Sequence, residues 1–574
     1  MSFLATIIAS KTNVYGVAKD VEVLKKALGC QTRHCDPLEA PSYTDLAIHI
    51  EVPIFAWVPW AATNILVVNP EWFVEDAWKP YLGRFDYIVV KDSVAELNFS
   101  RMAGAEKVRK IPWSAGPPTP VAPVPSDPLT DFLWVLGGSA SKRAYVPTLL
   151  AAWKPTYPNL YITTVEPLDL SGVTVPPNIL VHVGDISAED RAAMVLQYKG
   201  HICCSRAEGF GYTAAEAVAA NAFVILNSLP AYVESYKSSN SVVFLPSNLE
   251  RDYFDKGAPL NVLQDSLDGA IEAFLLSRDG PQEKWETFAN GYRLQGRWET
   301  FVSLWNRLVA PLRPAPLPPL PPRLDVSDCP PISVVTLVYN RKKFFDLACH
   351  NMMITDYPKD RIEWIVVDDS DDPMEQNSDR ILAVGRSADP VKFVYVPLRK
   401  KTPVSEKRNQ GVARSTNGIV LFMDDDDHYP ETSFRRRVAW LTLHPWKPRA
   451  TAATTIACYD LIKGISAVNV PPLDLPVSQR ISEATLTFYK GFWEEKKFPG
   501  NVVVGEGAEF LESREADFLE IPPQQIIVAF SHGKNVSSRR VPSDPNTPPS
   551  CFWGFPKEFL EFIHGLAGIT VSTT

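Results

Sequence analysis

The chain has little cysteine for its size: eight residues in 574, with no CxxC pair and no dense cluster. That excludes a disulfide-stapled scaffold, and free thiols in a reducing compartment are expected. Positive charge is also short. Lys and Arg total 57 against 66 Asp and Glu, a formal net charge of −9. No basic field exists to attract a polyanion, so nucleic acid is not an expected partner. No run of about 20 apolar residues occurs, the length a membrane-crossing helix needs, and no transmembrane segment is predicted. The apolar opening Phe3-Leu4-Ala5-Thr6-Ile7-Ile8-Ala9 has no basic leader and no cleavage site before Lys11. It reads as a buried strand rather than a signal peptide, and a cytoplasmic protein is expected.

What is present is an ordinary globular composition, 45% hydrophobic and 21% charged. Single cores stop growing at about 250–300 residues, so two or three domains are expected. The clearest boundary is Pro311-Leu-Arg-Pro-Ala-Pro-Leu-Pro-Pro-Leu-Pro-Pro322, where dense proline excludes helix and favours a stiff polyproline II spacer. Before it, strands over 4–9, 46–50, 65–68 and 87–90 and a helix over 18–28 predict a parallel α/β sheet. A second proline-rich stretch at 116–125 interrupts the pattern. A new cycle follows, with strands over 132–136, 160–164 and 180–183, helices over 146–153 and 188–197, and a closing helix over 285–308. After the spacer, strands over 332–338, 364–367, 391–396 and 419–423 alternate with helices over 344–353, 373–384 and 405–415. The predicted units are two Rossmann-like halves at 1–115 and 126–310, a linker at 311–329, a third α/β unit at 330–540 and a tail at 541–574.

Four consecutive aspartates, Asp424 to Asp427, follow the apolar strand Gly418-Ile-Val-Leu-Phe-Met423. Like charges this close raise one another's pKa unless a cation compensates. Hard oxygen ligands suit magnesium or manganese, while a calcium site or a helix-capping turn is the plainer alternative. Around the run stand Ile332-Ser-Val-Val-Thr-Leu-Val-Tyr-Asn-Arg341, Glu363-Trp-Ile-Val-Val-Asp-Asp-Ser370 and Glu406-Lys-Arg-Asn-Gln-Gly-Val-Ala-Arg-Ser-Thr-Asn417. In order and spacing these blocks resemble family 2 glycosyltransferases over about 210 residues. The resemblance implies a GT-A fold and a nucleotide-sugar donor, UDP- or GDP-linked. It places Asp369 on the donor base, Tyr339, Asn340 and Arg341 near the nucleotide, and Lys407 and Arg408 near the diphosphate. Asp424 and Asp426 would form the metal-binding DxD element for Mn2+ or Mg2+, with Asp427 beside them.

Family 2 chemistry inverts the sugar and needs a carboxylate to take the acceptor proton. The matching stretch, Val504-Gly-Glu-Gly-Ala-Glu-Phe510, keeps Glu506 but has Gly507 where the family usually has aspartate. Glu506 and then Glu509 are the candidate bases. Ser531-His-Gly-Lys-Asn-Val-Ser537 resembles the family's terminal histidine block, which implies a metal or diphosphate role for His532.

In the first part, Ser205-Arg-Ala-Glu-Gly-Phe-Gly-Tyr-Thr-Ala-Ala-Glu216 resembles the donor signature of family 4 glycosyltransferases, which implies a GT-B fold, retaining chemistry and no metal. Glu208 would act in catalysis and Glu216 would reach the ribose. Gly209 and Gly211 let the loop pack against the diphosphate at a helix N-terminus. Lys142 and Arg143, in Leu136-Gly-Gly-Ser-Ala-Ser-Lys-Arg143, are diphosphate candidates. The combined expectation is a GT-B-like twin Rossmann unit followed by a GT-A domain: a bifunctional glycosyltransferase acting on a glycan, glycolipid or glycoprotein acceptor. Two alternatives stay open. Only the GT-A domain is catalytic, or the chain is a carbohydrate-binding scaffold whose aspartates hold calcium.

Overall fold

A computed structural model describes residues 3–13, 16–117, 129–137, 140–246, 264–278, 294–313, 322–398, 400–532, 535, 551 and 553–569. Most of the proline spacer, part of the 116–125 stretch, residues 285–293 of the closing helix and much of 531–537 lie outside the described residues. The architecture is mixed α/β, built on three large sheets that are mainly parallel. No helix among the described residues is long and apolar enough to cross a membrane, and all eight cysteines are free.

The first sheet has six parallel strands in the spatial order Gln31–Cys35, Leu4–Ile8, Thr44–Ile50, Ala61–Val67, Tyr87–Val90 and Val108–Lys110. The second is also six-stranded and parallel, in the order Val242–Leu245, Phe223–Asn227, Tyr198–Ile202, Leu129–Val135, Leu160–Thr164 and Ile179–Val183. Each sheet starts on an inner strand, runs to one edge and then returns to the other side of its first strand. Ligands bind where such a sheet reverses, beyond the carboxyl ends of its strands. The two reversal points open onto one cleft, whose lining runs from Asn13, Glu51 and Asn69 on one side to Gly137 and Glu208 on the other. Helix Leu294–Val309 ties the halves together: Phe301 meets the buried Trp113 edge-on at 5.0 Å.

The third sheet follows the order Lys392–Pro397, Ile362–Asp368, Ile332–Val338, Ile419–Phe422, Thr487–Tyr489, Ala450–Ala452 and Phe518–Glu520. Its first four strands are parallel, and Thr487–Tyr489 runs against both of its neighbours. Strands Ile332–Val338 and Ile362–Asp368 are buried along their full length, which is why they are mostly apolar without strict alternation. A small sheet pairs Ile456–Asp460 with Ile465–Asn469 and Val528–Ser531.

Helix formation over 373–384 is only partly realised: the helix spans Ser378–Arg386. The Asn340 side-chain oxygen accepts from the backbone of Asp371 and Asp372 at 3.2 and 3.1 Å, which holds the preceding residues in a loop. The tail does not stand apart. Helix Lys557–Leu566 covers an apolar patch formed by Phe344, Tyr459 and Phe530, and Trp553 donates to the Cys458 carbonyl at 2.8 Å. The units built on the first and third sheets also meet, through helices and loops: Trp78 donates to the Leu473 carbonyl at 2.9 Å and Trp60 lies 5.9 Å from Trp440.

Candidate active sites

In the third sheet the order reverses between Ile332–Val338 and Ile419–Phe422. The segments leaving those two strands are Tyr339-Asn340-Arg341 and the four aspartates, so the topology brings two distant sequence blocks to one place. A cavity of about 500 Å³ opens there, lined by Tyr339, Arg341, Asp369, Lys407, Arg408, Asp424, Asp426, Asp427 and Glu506. Asp425 is absent from that lining and fully buried. The chain leaves the strand through a turn at Asp425 and Asp426, which puts Asp424, Asp426 and Asp427 in the lining and packs Asp425 behind them.

Arg341 is held by the aspartates themselves. Its guanidinium pairs with Asp426 and lies 2.7 Å from Asp425. Burial pushes the Asp425 carboxyl up. For Asp426 burial acts in the same sense, but the Arg341 charge and the His532 hydrogen bond outweigh it and hold the carboxyl below the usual range. His532 stands at 3.1 Å from Asp426 and stacks on Phe344, with Asn535 donating to the same Asp426 oxygen at 3.3 Å. Asp427 accepts from the Phe530 backbone at 3.0 Å.

Lys407 and Arg408 sit in the first two turns of helix Val404–Arg414, both buried. Lys407 donates to Asp369 at 2.6 Å, and the Thr402 backbone donates to the other Asp369 oxygen at 2.8 Å. Arg408 donates to Glu506 at 2.6 Å and lies 3.7 Å from Asp424. Asn340 is not part of the cavity lining; at φ +48° it anchors the loop carrying Asp371 and Asp372. Glu509 is exposed and also outside the lining, although Glu506 in the same six-residue helix is buried against Arg408.

One carboxylate that sequence reading missed reaches this cavity. Glu483 lines it and accepts from the Gly507 backbone at 3.1 Å. A Cβ on Gly507 would lie 2.9 Å from a Glu483 oxygen and 2.5 Å from the Ile481 methyl. Glu483 therefore fills the space beside position 507 where the family pattern led us to expect aspartate. Burial, reinforced by the Glu506 charge, pushes its carboxyl up. Nothing local marks Glu483, which stands 24 residues upstream of Gly507 in a short 3₁₀ turn.

The donor set fits a cation shared with substrate. Among the described residues, no three or more His, Cys, Asp or Glu side chains form a metal cage. Asp424 Oδ1 is buried without a hydrogen-bond partner, and Asp426 lines the same cavity. Magnesium and its relatives bind through one or two carboxylates plus substrate phosphates, whereas calcium takes six or more oxygens.

The cleft between the first two sheets measures about 460 Å³. Its basic side chains are already paired: Lys142 with Glu208, Lys19 and Arg191 with Glu216, and Lys91 with Asp20 at 3.3 Å. Glu216 thus bridges the halves rather than lining the cleft, and Arg143 also lies outside the lining. Gly209 and Gly211 both line it. A Cβ on Gly209 would come within 2.3 Å of Asn69 from the opposite half, and Gly211, at φ +84°, would drive one into the Tyr232 ring. Gly211→Ala is expected to destabilise this unit by about 1–3 kcal/mol, visible as a lower first transition in a thermal melt.

Residues 333–445 match the family model described as Glycosyl transferase family 2. No curated protein matches the chain. Similar solved structures include S. aureus TarS, 18% identical over 35% of this chain and 36% of that chain, TM-score 0.27. A mannosyltransferase, PcManGT from Pyrobaculum calidifontis in complex with GDP-Man and Mn2+, is 16% identical over 40% of this chain and 64% of that one, TM-score 0.30. A GtfA/B complex is 16% identical over 46% and 57%, TM-score 0.33. The chain thus spans less than two thirds of the length of each of these structures.

Proposed function

We propose, for a chain that is a glycosyltransferase with a family 2 module over residues 333–445, that the cavity beside the four aspartates transfers a sugar from a nucleotide-sugar donor with inversion. The observation that carries this reading is the convergence of Asp369, Lys407, Arg408, Asp424 and Asp426 on one cavity. Asp369, held by Lys407 and Thr402, presents a fixed acceptor edge to a nucleobase. Asp424 and Asp426 would hold Mn2+ or Mg2+, which when bound neutralises the departing diphosphate. Arg408, at the start of its helix, adds a buried positive charge on the same side.

The acceptor hydroxyl attacks the anomeric carbon as the bond to the diphosphate breaks, its proton passes to a carboxylate, and the nucleoside diphosphate leaves. Glu506 is engaged by Arg408, which donates to it at 2.6 Å and commits that oxygen to an ion pair. Glu483, with its carboxyl pushed up, is the better proton acceptor near neutrality. The base must be ionised, so activity is expected to fall on acidification at a higher pH than an ordinary carboxylate would give. A pH profile of kcat/KM checks this. Donor class is tested by screening UDP-, GDP- and dTDP-sugars for hydrolysis by the full chain, with and without manganese.

The cleft between residues 1–115 and 126–310 is the proposed second donor site, of the GT-B type, which makes the chain bifunctional. The meeting of two sheet reversals at Glu208, Gly209 and Gly211 supports it. The self-paired cations favour a second reading, in which this unit only binds acceptor. Glu208→Gln separates the two: a changed product structure indicates a second transferase site, and unchanged donor hydrolysis and product indicate an acceptor-binding module.

A further inference from the structure

Strands Ile419–Phe422 and Thr487–Tyr489 pair antiparallel, with Ile419 opposite Tyr489 and Leu421 opposite Thr487. The register holds one pair further, where the Phe422 N–H donates to the Leu486 carbonyl at 3.1 Å. Hydrogen-bonded pairs alternate along an antiparallel ladder, so the next direct bond in this register would run from the Asp424 N–H to the Ala484 carbonyl. The Tyr429 hydroxyl stands between those two groups instead. It accepts from the Asp424 N–H at 2.9 Å and donates to the Ala484 carbonyl at 3.0 Å. The two chains are thereby held one hydroxyl further apart than a direct bond of about 2.9–3.0 Å would hold them.

The chains so separated carry opposite sides of the proposed reaction. Asp424 belongs to the cation side, and Glu483 immediately precedes Ala484 in the short turn Glu483–Thr485; both carboxylates line the cavity. The spacer is itself pinned. Tyr429 is buried, its backbone N–H donates to the Asn351 side chain at 3.1 Å, and the Asn351 amide donates to the Asp427 carbonyl at 2.7 Å. Where the ladder opens, the fully buried Arg437 donates to the Phe422 carbonyl at 2.8 Å, the Leu486 carbonyl at 2.7 Å and the Thr487 hydroxyl at 2.9 Å. Its guanidinium thus clamps the last direct pair, and Tyr429 props open the next. Filling the core needs only the Tyr429 ring, which phenylalanine would supply; the hydroxyl answers to the gap.

We propose that Tyr429 is a positioning residue whose hydroxyl sets the distance between Asp424 and the Glu483 segment, with Arg437 fixing where the gap begins. The sugar has to fit between the cation side and the base, and a misplacement of about 1 Å can cost on the order of 10²-fold in rate. The proposal rests on the transferase reading of this cavity.

The test compares the full chain with Tyr429→Phe, Glu483→Gln and the double variant, by manganese-dependent release of UDP or GDP from UDP-glucose, UDP-N-acetylglucosamine and GDP-mannose. Tyr357→Phe is the control, since it removes an equally buried hydroxyl, bonded to the Pro330 carbonyl away from the cavity. Tyr429→Phe is expected to lower kcat tenfold or more with donor KM within twofold of wild type, while Tyr357→Phe leaves both constants unchanged. In the Glu483→Gln background, Tyr429→Phe is expected to cost less than a further twofold, because residues that act through one another are not additive. A kcat within twofold of wild type, a raised donor KM at constant kcat, or independent losses in the double variant overturns the proposal. Should Tyr429→Phe fail to fold, Arg437→Lys, which keeps the charge but not all three bonds, is judged by the same kcat and KM criteria. If the wild type turns over no donor, the transferase reading falls and a crystal structure of Tyr429→Phe decides the spacer. A direct bond from the Asp424 N–H to the Ala484 carbonyl, with Glu483 drawn towards Asp424, supports it, and an unchanged gap overturns it.

Discussion

Asp424→Asn is expected to lower sugar transfer by about 10²–10³-fold or more, the scale seen when one preorganised charge-stabilising group is removed. The size of the effect follows from position. Asp424 lines the cavity, and its Oδ1 is buried with no hydrogen-bond partner among the described residues, 3.7 Å from Arg408. Asparagine keeps the shape and removes the charge, so the protein should fold and melt as before. Asp426→Ala should likewise abolish transfer, but through a second route, because it also frees Arg341, His532 and Asn535. The measurement is transfer rate against manganese concentration. Near-normal, manganese-dependent activity in Asp424→Asn would refute the proposed role of the aspartates.

Glu483→Gln is expected to lower kcat by about 10²–10⁴-fold, the usual contribution of a positioned general base, with donor KM little changed. Glu506→Gln should behave differently. It strands Arg408 without its partner and should weaken donor binding and stability as well as rate. Gly507→Asp, which restores the residue usual in the family, is expected to reduce activity rather than raise it. The new side chain would crowd Glu483 and Ile481 and add a third carboxylate beside Glu483 and Glu506. A Gly507→Asp enzyme faster than wild type, or a Glu483→Gln enzyme with unaltered kcat, would return the base role to another group.

Much of the site was legible in the sequence because its parts are local. The four aspartates follow a run of apolar residues, and any strand entering that run must end at them. Tyr339 to Arg341 follow Ile332–Val338 for the same reason, and Lys407 and Arg408 open a helix whose start Pro403 sets. The short strands Gln31–Cys35, Val108–Lys110 and Thr487–Tyr489 were not legible. They carry polar residues or span three positions, and only pairing with a neighbour makes them strands. That Glu483 stands beside Gly507 was not legible for a related reason: a glycine in sequence shows which side chain is missing, not what fills the space.

The amino-acid order alone determined the alternation of strands and helices, the metal-suited pattern of the aspartates, and the loop glycines of the first cleft. Those depend on neighbours along the chain and on side-chain chemistry. Tertiary structure alone decided that Asp425 is buried while Asp424 and Asp426 line the cavity, that Arg341 pairs with the aspartates, and that Glu483 stands beside Gly507. It also decided that the unit of the first sheet meets that of the third and that a further cavity lies between them. Each of these joins segments far apart in sequence, and such contacts are set by which buried faces fit together, a property no local pattern encodes.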